Sequence, residues 1–467
     1  MRKLDLAQAL ATAFDHLAAN RLAESKRTAR ELERAQPSLP GLRYLQGLLA
    51  LAEGDGRKAT QHLIKALAQT PDAMPPLLAL ARAQALQDRH AQAQLLYRRL
   101  IALSPGLAEA YDELGVSHSD RGQYETAIET LDHAAVLRPD WSRVWTRLGV
   151  AQRSLGRWDG AVFSFSQAIK ADGALVRTNH WLDLGLAERA RGNLNAAVKA
   201  FEEAACREPD GIEAVWLKAE CLSSLGQREE ALAGYLQVLA QDPGDRFGVT
   251  MSLASLGALP APDRAPEAFI RTLFDQYADG FDRELVAGLN YRGPAILTDA
   301  IHRTFGKGPF DVFDAGCGTG LLGIALRPTS NRLDGVDLSP RMVAKARERG
   351  LYDGLFEGDL VAAMLARPQA YDLVAAADVL IYLGDLRPVF DAAEKTLRSG
   401  GGFAFTVEAC EGEGYVLQDS RRFAHSPDYL WQQAAAAGLV PLLIEAVPIR
   451  DDRGHPVPGY VVVLQKE

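Results

Sequence analysis

Asp311-Val-Phe-Asp-Ala-Gly-Cys-Gly-Thr-Gly-Leu-Leu-Gly323 decides how this chain is read. An apolar strand runs into three alternate glycines, 316, 318 and 320, and a helix is expected from about Thr319. Glycines at these positions let backbone approach a ligand where a Cβ would collide, and the helix start turns free N–H groups toward it. The next apolar run, Arg332-Leu-Asp-Gly-Val-Asp-Leu338, places Asp337 at a second strand tip, where a carboxylate can grip both hydroxyls of a ribose. The pattern predicts a nucleotide-cofactor pocket.

Gly318-Thr-Gly320-Leu-Leu-Gly323 also satisfies the dinucleotide pattern G-x-G-x-x-G, with Asp337 nineteen residues past its first glycine. Asp314, two residues before Gly316, separates the two readings. A carboxylate there repels a pyrophosphate and suits a ligand that carries an amino group and a sulfonium. The segment resembles motif I of class I S-adenosylmethionine-dependent methyltransferases, an acid and a small residue before G-x-G-x-G. The resemblance implies a Rossmann-like α/β domain with a seven-stranded mixed sheet and S-adenosylmethionine as cofactor, held at Asp314, Gly316, Gly318 and Gly320.

The same resemblance assigns the residues that follow. Ser339-Pro340 reads as N-cap and first residue of a helix. In the family the strand-end acid binds the ribose, which gives that role to Asp337, and Leu338 and Met342 would flank the adenine. Gly354-Leu-Phe-Glu-Gly-Asp359-Leu360 is a third short strand, whose acid takes the adenine amino group in family members. Tyr371-Asp-Leu-Val-Ala-Ala-Ala-Asp378 reads as a central strand buried on both faces, so Asp378 and the following Val379-Leu-Ile-Tyr382-Leu-Gly384 are expected at the transfer site. Gly400-Gly-Gly402 should turn the chain into a fifth strand ending at Glu408, and the late strands 441–447 and 460–464 correspond to the family's closing antiparallel hairpin.

Upstream, Phe274, Tyr277 and Phe281 recur at spacings of three and four, on one helical face. Many small-molecule methyltransferases begin with a similar helix that covers the cofactor, so Tyr277 and Phe281 are lid residues by resemblance. Methyl transfer is an in-line displacement in which the protein positions the partners and manages one proton. His425, held before the helix cap Ser426-Pro427, is the expected base, with Tyr382 beside it. Arg421 and Arg422 are expected to hold a carboxylate or phosphate of the acceptor, near Glu408.

The amino-terminal half repeats. Gly47, Ala81, Gly115 and Gly149 are 34 residues apart, Gly185 follows after 36, and Ala219 after 34. Ala59, Ala93, Ala127, Ala161, Ala197 and Ala231 keep the same step, as do helix-ending prolines at 71, 105, 139, 209 and 243. This is the tetratricopeptide period, two antiparallel helices per unit with small residues at close crossings. Six repeats are expected over 37–245, with the longer step in the turn between Gly173 and Trp181, a degenerate capping repeat over 1–36, a Pro-rich linker over 246–266 and the methyltransferase domain over 267–467. By family geometry the first helices line a concave groove for a peptide or protein, with Tyr44, Arg82, Asp112, Arg153, Arg189 and Trp216 facing it, and the three arginines favour an acidic ligand.

The chain of 467 residues carries 51 basic and 60 acidic groups, a net charge of −9 that argues against nucleic acid as the main partner. No apolar run approaches eighteen residues and no signal peptide is apparent, so a cytoplasmic protein without a membrane span is expected. Cys206, Cys221, Cys317 and Cys410 form no metal spacing or disulfide framework, and no metal is expected. The combination resembles bacterial methyltransferases that carry tetratricopeptide repeats. It leaves three readings: a methyltransferase for an O or N nucleophile of a small molecule or peptide, with repeats for assembly; a protein methyltransferase whose repeats recruit the substrate; and a non-catalytic scaffold that senses cofactor.

Overall fold

The computed structural model describes residues 3–68, 70–173, 178–283, 285, 289–452 and 454–467. Two compact units are present, Met1–Leu225 and Gly226–Glu467.

The first unit is built from antiparallel helix pairs, among them Leu42–Ala52 with Gly56–Leu67 and Ser142–Ser154 with Trp158–Asp172. The recurring small residue explains the pairing. A Cβ on Gly47, Gly115, Gly149 or Gly185 would stand 2.5–2.6 Å from the side chain of Leu63, Leu131, Phe165 or Phe201 respectively. Each large partner lies sixteen residues on, so one position per repeat sets how closely two helices cross. The recurring alanines 59, 93, 127, 161 and 197 are fully buried. Lys3–Ala18 and Leu22–Ala35 form a further pair over the stretch expected to cap the array. The lengthened turn expected between Gly173 and Trp181 falls largely on residues 174–177, outside the described residues.

Ion pairs link successive repeats. Arg82 meets Glu113 at 3.0 Å and Arg153 meets Asp183 at 2.6 Å, so two of the three arginines expected to favour an acidic ligand are already matched by acids of the next repeat. Asp112 is fully buried rather than displayed in a groove, with Arg143 and Arg147 at 3.0 and 2.6 Å.

The second unit opens with helices Arg228–Gln241 and Val249–Ser255. Asp245 accepts hydrogen bonds from the N–H groups of Val249 and Thr250 and starts the second of these. The stretch expected as a linker is thus partly folded. Met251 and Ala265 pack in one cluster with Phe423, because apolar side chains on either side of the prolines find cover on the α/β domain.

The sheet contains β1 Phe310–Ala315, β2 Ser330–Asp337, β3 Gly354–Glu357, β4 Tyr371–Ala376, β5 Leu397–Ala409, β6 Tyr415–Leu417, β7 Phe423–His425, β8 Leu439–Ala446 and β11 Gly459–Lys466; β9 Asp451–Asp452 and β10 His455–Pro456 form a separate ribbon. Seven strands follow the order β3-β2-β1-β4-β5-β11-β8, with β11 antiparallel to both neighbours, and β6 and β7 extend the tip of β5 to make nine. Side chains alternate between two cores. Phe313, Val374 and Phe405 face helices Arg387–Thr396 and Pro427–Ala436, whereas Val312, Leu373 and Ala404 face helix Gly293–Phe305. Gly400–Gly402 lies inside β5 instead of preceding it, as a bulge: five residue steps from Leu397 to Gly402 oppose two from Tyr371 to Leu373. At Gly402 a Cβ would collide with Phe305. Strand order reverses between β1 and β4, which opens a crevice at their carboxyl ends. Among the described residues no helix is long and apolar enough to cross a membrane.

Candidate functional site

A cavity of about 480 Å³ lies at that crevice. Its floor is the loop Gly316–Thr319, its walls the tips of β2, β3 and β4, and its roof the helix Glu267–Tyr277 with Phe281.

The three loop glycines serve different ends. A Cβ on Gly316 would strike Val379 at 2.5 Å, and one on Gly320 would come 3.1 Å from the ring of Tyr352. At Gly318 nothing lies within 4 Å of the Cβ position, and φ is +54°, so this glycine is the one that leaves the cavity floor open. Thr319 Oγ1 and Arg349 both bind Asp282 of the roof segment.

Asp337 ties the loop to β2. Its Oδ2 accepts the Gly318 N–H and its Oδ1 the Ser339 N–H, each at 2.9 Å. Burial lifts its carboxyl to about 6, against the pull of those N–H groups. Asp359 also lines the cavity, with Oδ1 capping the following helix at Ala362 and Oδ2 at 3.0 Å from Arg264. Leu338 and Leu360 stand beside these acids in the cavity wall. Met342 does not: it is fully buried in the core beneath the helix Pro340–Glu348.

Asp314 and Gly320 lie behind the floor rather than on it. Asp314 is 1% exposed, and its Oδ2 accepts the hydroxyl of Tyr352 at 2.6 Å. Burial raises this carboxyl to about 7, opposed by the Tyr352 hydrogen bond. Sequence reasoning missed Tyr352, whose only signal was an aromatic residue just before β3.

The roof carries Ile270, Leu273, Phe274, Tyr277 and Phe281 into the cavity, Tyr277 remaining half-exposed. Phe274 meets Phe281 and Tyr382 edge-on, with ring centroids at 5.9 and 5.6 Å. Its acids face a row of bases on the helix after β2. Asp279 contacts Arg341 and Lys345, and Asp282 contacts Arg349, while Asp275 accepts from Ser339 Oγ at its carboxylate and from the Arg341 guanidinium at its backbone oxygen. Hydrogen bonding to Lys345 together with Arg341 holds the Asp279 carboxyl below its usual range.

The far end of the cavity is polar. Asp378, at φ +56°, donates its N–H to Thr406 Oγ1 at 2.9 Å and meets Arg450 through Oδ1. Arg450 is 1% exposed and also binds Glu408, whose carboxyl is raised by burial against the attraction of Arg450. Arg422 lines the cavity with Tyr382 and lies 3.9 Å from both Glu408 and Asp452. Glu408 is buried beneath the two arginines instead of facing an acceptor. Arg450 was not anticipated, since it sits in a Gly/Pro-rich stretch that reads only as a turn.

Two further expected residues, His425 and Arg421, are not brought to the cavity. His425 is fully buried, and its Nε2–H donates to Gly384 O at 3.1 Å, so it braces the loop after β4. Burial lowers its imidazole to about 4, which leaves it neutral near pH 7, away from any entering acceptor. Ser426 does cap the next helix through the Tyr429 N–H. Arg421 points instead to Ser252, 3.3 Å away, and over the ring of Phe269.

Residues 313–403 match a family model described as a methyltransferase domain, and residues 113–174 and 188–247 match models described as tetratricopeptide repeat. Curated relatives include "Methyltransferase-like protein 27" of Homo sapiens, 38% identical over 18% of this chain and 34% of that protein. The "Ubiquinone biosynthesis O-methyltransferase" of Xylella fastidiosa is 32% identical over 19% of this chain and 38% of its own length. The co-chaperone sgt12 of Aspergillus fumigatus is 28% identical over 23% of this chain and 32% of its own. The chain spans about a third of the length of these relatives. It joins a tetratricopeptide-repeat solenoid to a methyltransferase domain.

Proposed function

We propose that this protein transfers the methyl group of S-adenosylmethionine to an oxygen or nitrogen nucleophile of a small molecule or peptide, and that its repeats bind a protein partner. The observation that carries the reading is the single cavity in which the Gly318 floor, Asp337 and Asp359 meet the polar group Asp378, Tyr382 and Arg422 under an aromatic roof. The residues suit the cofactor. Gly318 leaves room for it, Asp337 can exchange a backbone partner for ribose hydroxyls, and buried Asp314 Oδ1 has no partner among the described residues.

When bound, S-adenosylmethionine supplies an electrophilic methyl group on a sulfonium. The chain's own contribution is position, charge and exclusion of water. Asp337 and Asp359 hold the nucleoside end, and Leu338 and Leu360 give it apolar walls. Phe274, Tyr277 and Phe281 cover the site, which strengthens every charge interaction inside it. Arg450 fixes Asp378 at the tip of β4. Arg422, whose carboxylate neighbours are 3.9 Å away, is free to take an anionic group of the acceptor at closer range, with the Tyr382 hydroxyl beside it.

The likeness of residues 313–403 to methyltransferases, an O-methyltransferase among them, supports the chemistry and leaves the acceptor to experiment. Incubating the protein with methyl-labelled S-adenosylmethionine in lysate would divide the readings. Label on small molecules or peptides is the expected result. Label on protein would favour recruitment of a protein substrate through the repeats, and no label despite tight cofactor binding would leave a sensor.

A further inference from the structure

Glycines behind the cavity floor accommodate a side chain of the chain itself. Three glycines from different elements make room for one ring: a Cβ on Gly335 of β2 would stand 2.9 Å from Tyr352 Cε1, one on Gly320 3.1 Å from its Cε2, and one on Gly323 would collide with its hydroxyl. The ring so seated delivers its hydroxyl to Asp314 at 2.6 Å. We propose that Tyr352 is a positioning residue for cofactor binding, holding the Asp314 carboxylate one layer beneath the cavity floor as counter-charge for the cationic part of S-adenosylmethionine.

The inference rests on the methyltransferase reading and extends it to a residue outside the cavity. Asp314 is central in the sheet, opposite Gly335 on β2 and Ala375 on β4, so its sheet neighbours bring no charge. The titratable groups that reach it are Tyr352, Asp337, Cys317 and Tyr291; none is a base, so burial and Asp337 oppose its charge, and the Tyr352 hydroxyl is the group that favours it. The second oxygen, Oδ1, is buried with no hydrogen-bond partner among the described residues. A buried carboxylate left half-satisfied is costly unless a ligand's positive charge completes it.

Tyr352→Phe removes the hydroxyl and keeps the ring. Binding of S-adenosylhomocysteine, whose amino group remains cationic, should be followed by calorimetry on the full chain from pH 6 to 8.5. The expected result for a rise of one pKa unit is an affinity lower by about tenfold at pH 6, by about fivefold near pH 7, and a return toward the wild-type value at pH 8.5. Asp314→Asn should bind weakly at every pH, and adding Tyr352→Phe to it should cost nothing more. This combination also separates charge from packing if the phenylalanine variant is less stable. A Tyr352→Phe profile matching wild type, or a full further loss in the double variant, overturns the inference alone. A wild-type chain that binds neither S-adenosylhomocysteine nor S-adenosylmethionine overturns the functional reading and the inference together.

Discussion

Arg450 lies with its guanidinium between Asp378 at the tip of β4 and Glu408 near the end of β5, joining the loop after β8 to the polar far end of the cavity. Removing one member of a buried pair costs about 3–5 kcal/mol, because the partner charges stay behind without compensation. Arg450→Met should destabilise the second unit by that order, and Arg450→Met with Asp378→Asn and Glu408→Gln should recover part of it. Urea unfolding measures both. A single variant as stable as wild type would show that the pair contributes nothing net.

Asp337 lines the cavity beside Gly318 and is the carboxylate proposed to hold the ribose. Charge-assisted hydrogen bonds are worth roughly 1.5–3 kcal/mol. Asp337→Ala should therefore weaken S-adenosylhomocysteine binding about tenfold to a hundredfold by calorimetry, and Asp337→Asn by less, since its amide oxygen can still accept the Gly318 N–H. A wild type that prefers NAD(H) would reverse the cofactor assignment.

His425, buried and bonded to Gly384 O, is expected to act on stability and not on the proton. Its imidazole is depressed from the usual 6.5 to about 4 in the folded chain, so the unfolded state binds more protons between these values. Stability is unaffected above about pH 6.5 and falls as pH drops toward 4, by about 3 kcal/mol at the end of that window. His425→Gln should lose this acid-side sensitivity while its turnover near pH 7 keeps the wild-type pH profile. A loss of turnover by a factor of about 10²–10⁴ without loss of stability would restore the histidine as base.

The row of Asp279 and Asp282 against Arg341, Lys345 and Arg349 should make the roof responsive to salt. Screening shortens to about 3 Å at 1 M salt, and exposed pairs weaken accordingly. Dissociation of S-adenosylhomocysteine, timed by stopped flow, should speed up severalfold between low and high salt. Asp279→Lys should mimic high salt at low ionic strength, and adding Lys345→Glu and Arg341→Glu should reverse the change. Salt-independent dissociation would leave the row without a part in opening.

The second unit begins before the Pro-rich stretch. A fragment of residues 226–467 should fold and bind cofactor, whereas 266–467 loses Met251 and Ala265 from beside Phe423 and should melt lower and aggregate more readily. Equal melting of the two fragments would make the helix Val249–Ser255 dispensable.

Local order was legible in the residues. The 34-residue step of Gly47, Gly115 and Gly149 exposes the repeats because each repeat packs on its neighbours, and a single small residue meets a large one sixteen positions on. Asp311 to Gly323 exposes the cofactor floor because strand, turn and helix follow one another without a gap, and Asp337 follows at the next strand tip. What lay hidden depends on crossovers. Tyr352 meets Asp314 across 38 residues and Arg450 meets Asp378 across 72, and nothing local in either stretch signals its partner. His425 reads as a base held before a helix cap until β7 pairs with β5 and buries it. Period and motif are short-range properties carried by adjacent residues, whereas burial and charge pairing are set by which strands become neighbours once the sheet closes.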